Sequence, residues 1–99
     1  MRRPVITRHA RERALQRLGA GHTPIATLRR RSVLLPARYA RRLAIRTPQT
    51  KSGIRFRVAG DVLLVCRGRR IITLWRLSAD AFATVLVWIA TGIWTGGMA

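Results

Sequence analysis

Residues 54–76 read IRFRVAGDVLLVCRGRRIITLWR, and this stretch decides the fold. Ile54, Phe56 and Val58 alternate with Arg55 and Arg57, the period of a half-buried strand. Ala59-Gly60-Asp61 turns the chain into Val62-Leu63-Leu64-Val65-Cys66, an apolar run that suits a central strand. Gly68-Arg69 is a tight hairpin connection. Arg70–Arg76 (RIITLWR) then forms a third strand, with Thr73 and Trp75 on one face. The expectation is a three-stranded antiparallel meander.

Upstream, the periodicity changes to that of helices. Thr7 is placed to cap a first helix running to about Leu18, with Ala10, Ala14, Leu15 and Leu18 on the inward face. His9, Arg13, Gln16 and Arg17 fall on another face, Arg8 and Glu12 are spaced to pair at i,i+4, and Gly19 and Gly21 end the helix. Thr23-Pro24 is a second start signal, threonine as N-cap and proline at the first helical position, with Ile25 and Leu28 as the buried positions. Pro36 disfavours helical geometry at Leu35. A third short helix is expected from Pro36 to about Ile45, turning Tyr39, Ala40, Leu43 and Ala44 inward and Arg38, Arg41 and Arg42 outward. Arg46 to Gly53 reads as a loop. The fold class is therefore α+β: two or three N-terminal helices packed on a small antiparallel meander, with an apolar C-terminal element.

That element is a segment of 19 uncharged residues, Ala81–Ala99. Its length just reaches that of a bilayer crossing. Gly92, Gly96 and Gly97 weaken a helix, and Thr84–Ile89 is rich in strand formers. It reads as a buried element such as a fourth strand, as a membrane anchor, or as an apolar surface docked to a partner. The buried element is the preferred reading. The chain divides accordingly into a basic domain over 1–80 and an apolar segment over 81–99.

Charge bounds the partners. The 99 residues carry 20 Lys and Arg against 3 Asp and Glu, for a formal net charge of +17. Lys51 is the single lysine, so the surface is an arginine surface. Arginine's planar fork suits bidentate phosphate contacts and stacking on bases, and every phosphate it neutralises releases condensed counterions. A polyanion, above all RNA or DNA, is the expected partner. Hydrophobic residues make up 48 % of the chain, too many for a disordered basic tail. The lone cysteine, Cys66, excludes an internal disulfide and a Cys-rich zinc site and reads as a small core residue. Met1-Arg2-Arg3-Pro4 is followed by no apolar core of a secretory signal, so a cytoplasmic, reducing setting is expected.

Few groups suit chemistry. His9 lies on the first helix among cations, where it reads either as a general base or as a half-exposed surface histidine. His22 reads as a loop residue. Three scattered carboxylates make a poor hard-ion site, and neither a phosphate-binding Gly-rich loop nor a Ser/His/Asp set is discernible. No cofactor or metal is expected. Tyr39, Trp75, Trp88 and Trp94 are packing residues first and base-stacking platforms second.

The stretch Thr7-Arg8-His9-Ala10-Arg11-Glu12-Arg13, with Arg17-Leu18-Gly19, resembles a "(K/R)HAxER…R" helix that precedes a sheet ending in a strand like RIITLWR. With Gly60, Val65 and Thr73-Leu74-Trp75 in order, the chain resembles the barnase–EndoU–colicin–RelE superfamily of small metal-independent ribonuclease toxins. The resemblance covers Thr7–Gly19 and Arg55–Arg76. It implies that His9 matches the helix histidine, that Arg55, Arg57 and Thr73 match polar strand positions of a cleft, and that RNA is cleaved by positioning and acid/base catalysis. It also implies an acidic antitoxin or immunity partner. The expected function is RNA binding with metal-independent endoribonuclease activity. The phosphate-binding block is Arg29, Arg30, Arg31, Arg38, Arg41, Arg42 and Arg46. Two alternatives stand: a non-catalytic nucleic-acid-binding component (ribosome-associated or phage), and a membrane-tethered basic protein.

Overall fold

A computed structural model describes residues 5–43 and 53–95. The class is α+β, built on a five-stranded mixed sheet in the order β1-β5-β4-β3-β2. The meander stands as expected: β3 (Ile54–Ala59), β4 (Val62–Arg67) and β5 (Arg70–Arg76) pair antiparallel. Its two tight turns use Gly60 and Gly68, each at φ +58°, where a side chain would be strained.

Two short strands extend the sheet beyond the expected three. β1 (Val5–Ile6) runs parallel to β5, Val5 opposite Arg70 and Ile6 opposite Ile71. β2 (Val33–Leu35) runs antiparallel to β3 and forms the other edge. Neither is discernible from local pattern, because two or three residues cannot display a period of two.

α1 (Arg8–Leu18) starts where the sequence places it. Thr7 Oγ1 accepts from the Ala10 amide at 3.1 Å and donates to the Ile71 carbonyl at 2.7 Å, so one hydroxyl caps the helix and ties it to β5. Ala10 and Ala14 are buried, whereas Leu15, expected inward, is 60 % exposed. The small alanines let α1 lie close on β5, and this rotates Leu15 outward.

α2 (Ile25–Arg31) is capped by Pro24 itself, not by Thr23, with no side-chain cap bond. Of its first-turn amides, that of Thr27 donates to the Pro24 carbonyl in a tight i→i−3 bond, beside the first regular helical bond from Leu28 to the same carbonyl. α3 (Ala37–Ala40) is shorter than expected and tightens into a 3-10 turn over Arg41–Leu43. The remainder of the expected third helix, Arg46 and most of the expected loop lie outside the described residues.

The C-terminal element is a helix, not a fourth strand: α4 (Ala79–Thr91) begins at the Ser78 cap and ends at Gly92 in the left-handed conformation, φ +76°. Strand propensity in Thr84–Ile89 yields to burial of Phe82, Val85 and Trp88, whose 3-residue spacing places them together only in a helix. No helix among the described residues is long and apolar enough to cross a membrane.

Helices cover both faces of the sheet. α1 and α2 enclose Ala10, Ala14, Ile25 and Leu28 against Leu64, Cys66, Ile71 and Leu74. α3 and α4 enclose Ala40 and Val85 against Leu35, Phe56, Val58, Leu63 and Val65. β4 is buried from Val62 to Cys66 because it is apolar on both sides. Ile71 and Leu74 lie three apart yet share a face. The bulge opposite Val65/Cys66 supplies the extra residue that makes this possible.

Candidate nucleic-acid interface

The arginines gather at three places that the sheet defines. The first is the free edge of β5. β1 covers β5 only as far as Ile71, leaving the outer edge of its later residues without a strand partner among the described residues. Arg17 reaches down from α1 to fill the gap. Its guanidinium donates to the Leu74 carbonyl at 2.8 Å and to Thr73 Oγ1 at 2.9 Å, and lies 3.4 Å from the centroid of the Trp75 ring. Burial first, then the neighbouring Arg13, pulls the Arg17 pKa below the ordinary arginine value. Arg13 is one turn back: its Nε donates to His9 Nε2 at 3.3 Å, and one of its terminal nitrogens to Gln16 Oε1 at 2.9 Å. His9, Arg13 and Arg17, at i, i+4 and i+8, thus form one ridge along α1.

The second place is the tip of the β4–β5 hairpin. Arg67 and Arg70 stand directly opposite each other in the register, with Arg69 in the turn between them, and all three are exposed. Like charges at facing positions repel, so an anion between them is favoured. Arg55 lies at the same end of the sheet, as the Gly68 amide bonds the Gly53 carbonyl beside it. Arg55 also lines a shallow pocket of about 220 Å³ with Leu34, Pro36, Gly53 and Ile54.

The third place brackets the β2 edge. Arg30 and Arg31 are exposed at the end of α2, while Arg38 and Arg42 are exposed on the side of α3. The helical arginine block is therefore split across two faces of the sheet. Arg29 is half-buried, the Arg41 side chain and Arg46 lie outside the description, and Arg38 covers the Tyr39 ring at 4.7 Å.

Of the four residues expected at a catalytic cleft, Thr73 is joined to the α1 ridge through Arg17, but His9 itself contacts Arg13 rather than a strand residue. Arg57 is held on the opposite half of the sheet, its Nε donating to Ser32 Oγ at 2.7 Å and a terminal nitrogen to the Ser32 carbonyl at 3.1 Å. Arg57 therefore orders the α2–β2 junction. β4 separates β3, with Arg55 and Arg57, from β5, with Thr73. Sequence reasoning missed Arg17 and the Arg67/Arg70 pair as interface residues. The HAxER…R spacing contained the first, and the hairpin reading contained the second.

Few carboxylates oppose these cations. Among the described residues the ion pairs are Arg8–Glu12 at 3.4 Å and Arg76–Asp61 at 3.6 Å, both exposed. No group of three or more His, Cys, Asp or Glu able to hold a metal ion occurs among them. Cys66 is buried, and burial pushes its thiol up to about 11, against a smaller opposing pull from Arg57. Comparison with protein families, curated proteins and solved structures finds no match. The residues themselves define the class: a small basic α+β protein whose exposed arginines outnumber their carboxylate partners.

Proposed function

We propose that this protein binds RNA through its arginine surface. The observation that carries the reading is the facing Arg67/Arg70 pair, two exposed cations in cross-strand register at a hairpin tip also bearing Arg69. A phosphate chain relieves their repulsion and gains entropy from released counterions. The α1 ridge and the arginines bracketing β2 add further cationic patches at the two sides of the sheet, and the resemblance to the ribonuclease toxins makes RNA the preferred polyanion. The test is anisotropy of a labelled single-stranded RNA over a salt series. Affinity falls steeply with salt, and Arg67→Gln/Arg70→Gln lessens the log–log slope by about 1 to 2 phosphate equivalents. A slope unchanged by that pair overturns the role of the hairpin.

The second reading is metal-independent cleavage, favoured by the His9–Arg13–Arg17 ridge, which sets an imidazole beside a guanidinium. In this reading His9 Nε2 gives up the hydrogen bond from Arg13 and takes the proton from a 2′-hydroxyl. The 2′-oxygen bonds phosphorus as the P–O5′ bond breaks, arginine stabilises the phosphorane, and water protonates the leaving 5′-oxygen. His9→Ala then abolishes cleavage in the presence of chelator without loss of RNA affinity. Binding without cleavage by the wild type leaves the non-catalytic reading, an RNA-binding component. An acidic protein partner, as in a toxin with its antitoxin, would compete for the same arginines.

A further inference from the structure

α4 is apolar on both sides, and the sheet accounts for only one. Phe82, Val85 and Trp88 pack inward. On the outer face Ala83, Leu86 and Ala90 follow one another at spacings of 3 and 4, one stripe of a helix. Val87 and Ile89 flank this stripe and Ile93 extends it past the C-cap; Leu86 is 47 % and Ile93 61 % exposed. The helix holds a single charged residue, Asp80, in its first turn. A helix that is hydrophobic all round belongs in an apolar environment, and here half of it meets solvent.

The surroundings indicate which environment. Beyond Gly92 the chain folds back so that Trp94 stacks on Tyr39, ring centroids 4.5 Å apart and planes within 2°, with Trp88 edge-on to both. Arg38 covers Tyr39, and Arg42 is exposed on the next turn. The apolar helix thus lies beside a half-buried aromatic cluster topped by cations, the side-by-side chemistry of a surface helix seated between acyl chains and phosphate headgroups. A second copy of the chain fits the charge less well, since it would bring another +17 against the first.

We infer that the outer face of α4 docks on the surface of an anionic phospholipid membrane. The helix lies in the plane of the interface. Leu86, Val87, Ile89 and Ile93 enter the acyl boundary, while Arg38 and Arg42 meet headgroup phosphates. The apolar stripe is separate from the α1 ridge and the hairpin tip, and only Arg38 and Arg42 are shared with the arginines bracketing β2. A change confined to Leu86 and Ile93 therefore tests the membrane face without touching the RNA-binding arginines.

The test uses the full chain with vesicles of phosphatidylcholine alone or with a quarter phosphatidylglycerol. The wild type binds the anionic vesicles, and brominated acyl chains quench its tryptophan fluorescence. The charge-neutral pair Leu86→Gln/Ile93→Gln lowers partitioning roughly tenfold, with RNA affinity and thermal unfolding unchanged. Three results overturn the inference: no binding to anionic vesicles, binding that the pair leaves intact, or a dimer in light scattering that the pair converts to monomer. Quenching of the wild type serves as the test if the pair fails to fold. Absence of RNA binding by the wild type, with anionic vesicle binding present and lowered by the pair, counts against the RNA reading alone.

Discussion

Arg17 lies over the Trp75 ring at 3.4 Å and at the same time bonds the Leu74 carbonyl, so one side chain closes the part of β5 that β1 leaves open. Stacking and a charge-assisted hydrogen bond act together at a half-buried position. Unpaired strand edges invite association with other chains, and a guanidinium is an effective cover.

Arg17→Ala is expected to destabilise the fold by about 2 kcal/mol. Arg17→Lys recovers only part of this, because an ammonium lacks the planar fork. Urea unfolding of the three proteins measures it, and equal stability of the lysine and wild-type proteins would show that charge alone is at work.

Arg57 and Ser32 are coupled across 25 residues by two hydrogen bonds. Arg57→Ala leaves Ser32, which is buried, without that partner and costs about 2–3 kcal/mol. Ser32→Ala costs about 1 kcal/mol. The double variant falls short of the sum, and a double-mutant cycle by chemical denaturation reads the shortfall.

Cys66 makes stability depend on alkaline pH. Its thiol is raised from 9.0 to about 11 by burial, so the unfolded chain loses this proton first as pH rises. The contribution is fully present below pH 9 and is lost between pH 9 and 11, about 2–3 kcal/mol in all. Cys66→Ala removes that decline from the pH profile of unfolding. For the same reason the native thiol resists alkylation at pH 8 and reacts once the chain is unfolded.

Val85 is fully buried beneath α4. Val85→Ala is expected to cost about 2–3 kcal/mol by leaving a cavity between α4 and the sheet. A calorimetric Tm lowered by several degrees reports it. An unchanged Tm would mean that α4 contributes little to the core it covers.

How much of this was legible in the sequence follows from the range of the forces. The meander was legible because alternation in Ile54–Val58 and the glycines at 60 and 68 are local signals. The start of α1 was legible because Thr7 and Ala10 lie three residues apart. Leu15 was misjudged because helical periodicity admits several apolar faces, and only contact with β5 selects one. The tail was misjudged as a strand because β-branched residues dominate Thr84–Ile89, while the pull of the sheet on Val85 is a tertiary term. The shared helix face of His9, Arg13 and Arg17 followed from i,i+4 spacing alone, but of the three only His9 was legible as a candidate site residue. The partners of Arg57 and Arg17 lie 25 and 56 or 57 residues away, and no local pattern indicates them.

The sequence by itself determined that this protein is cationic, α+β and centred on an antiparallel meander, since charge and local periodicity are properties of neighbours along the chain. Only the tertiary structure decided that β1 joins β5 in parallel, that the helical arginines divide between two faces, and that α4 turns one apolar side to the sheet and the other to solvent. Those outcomes depend on which surfaces meet, and surfaces meet only once the chain has folded.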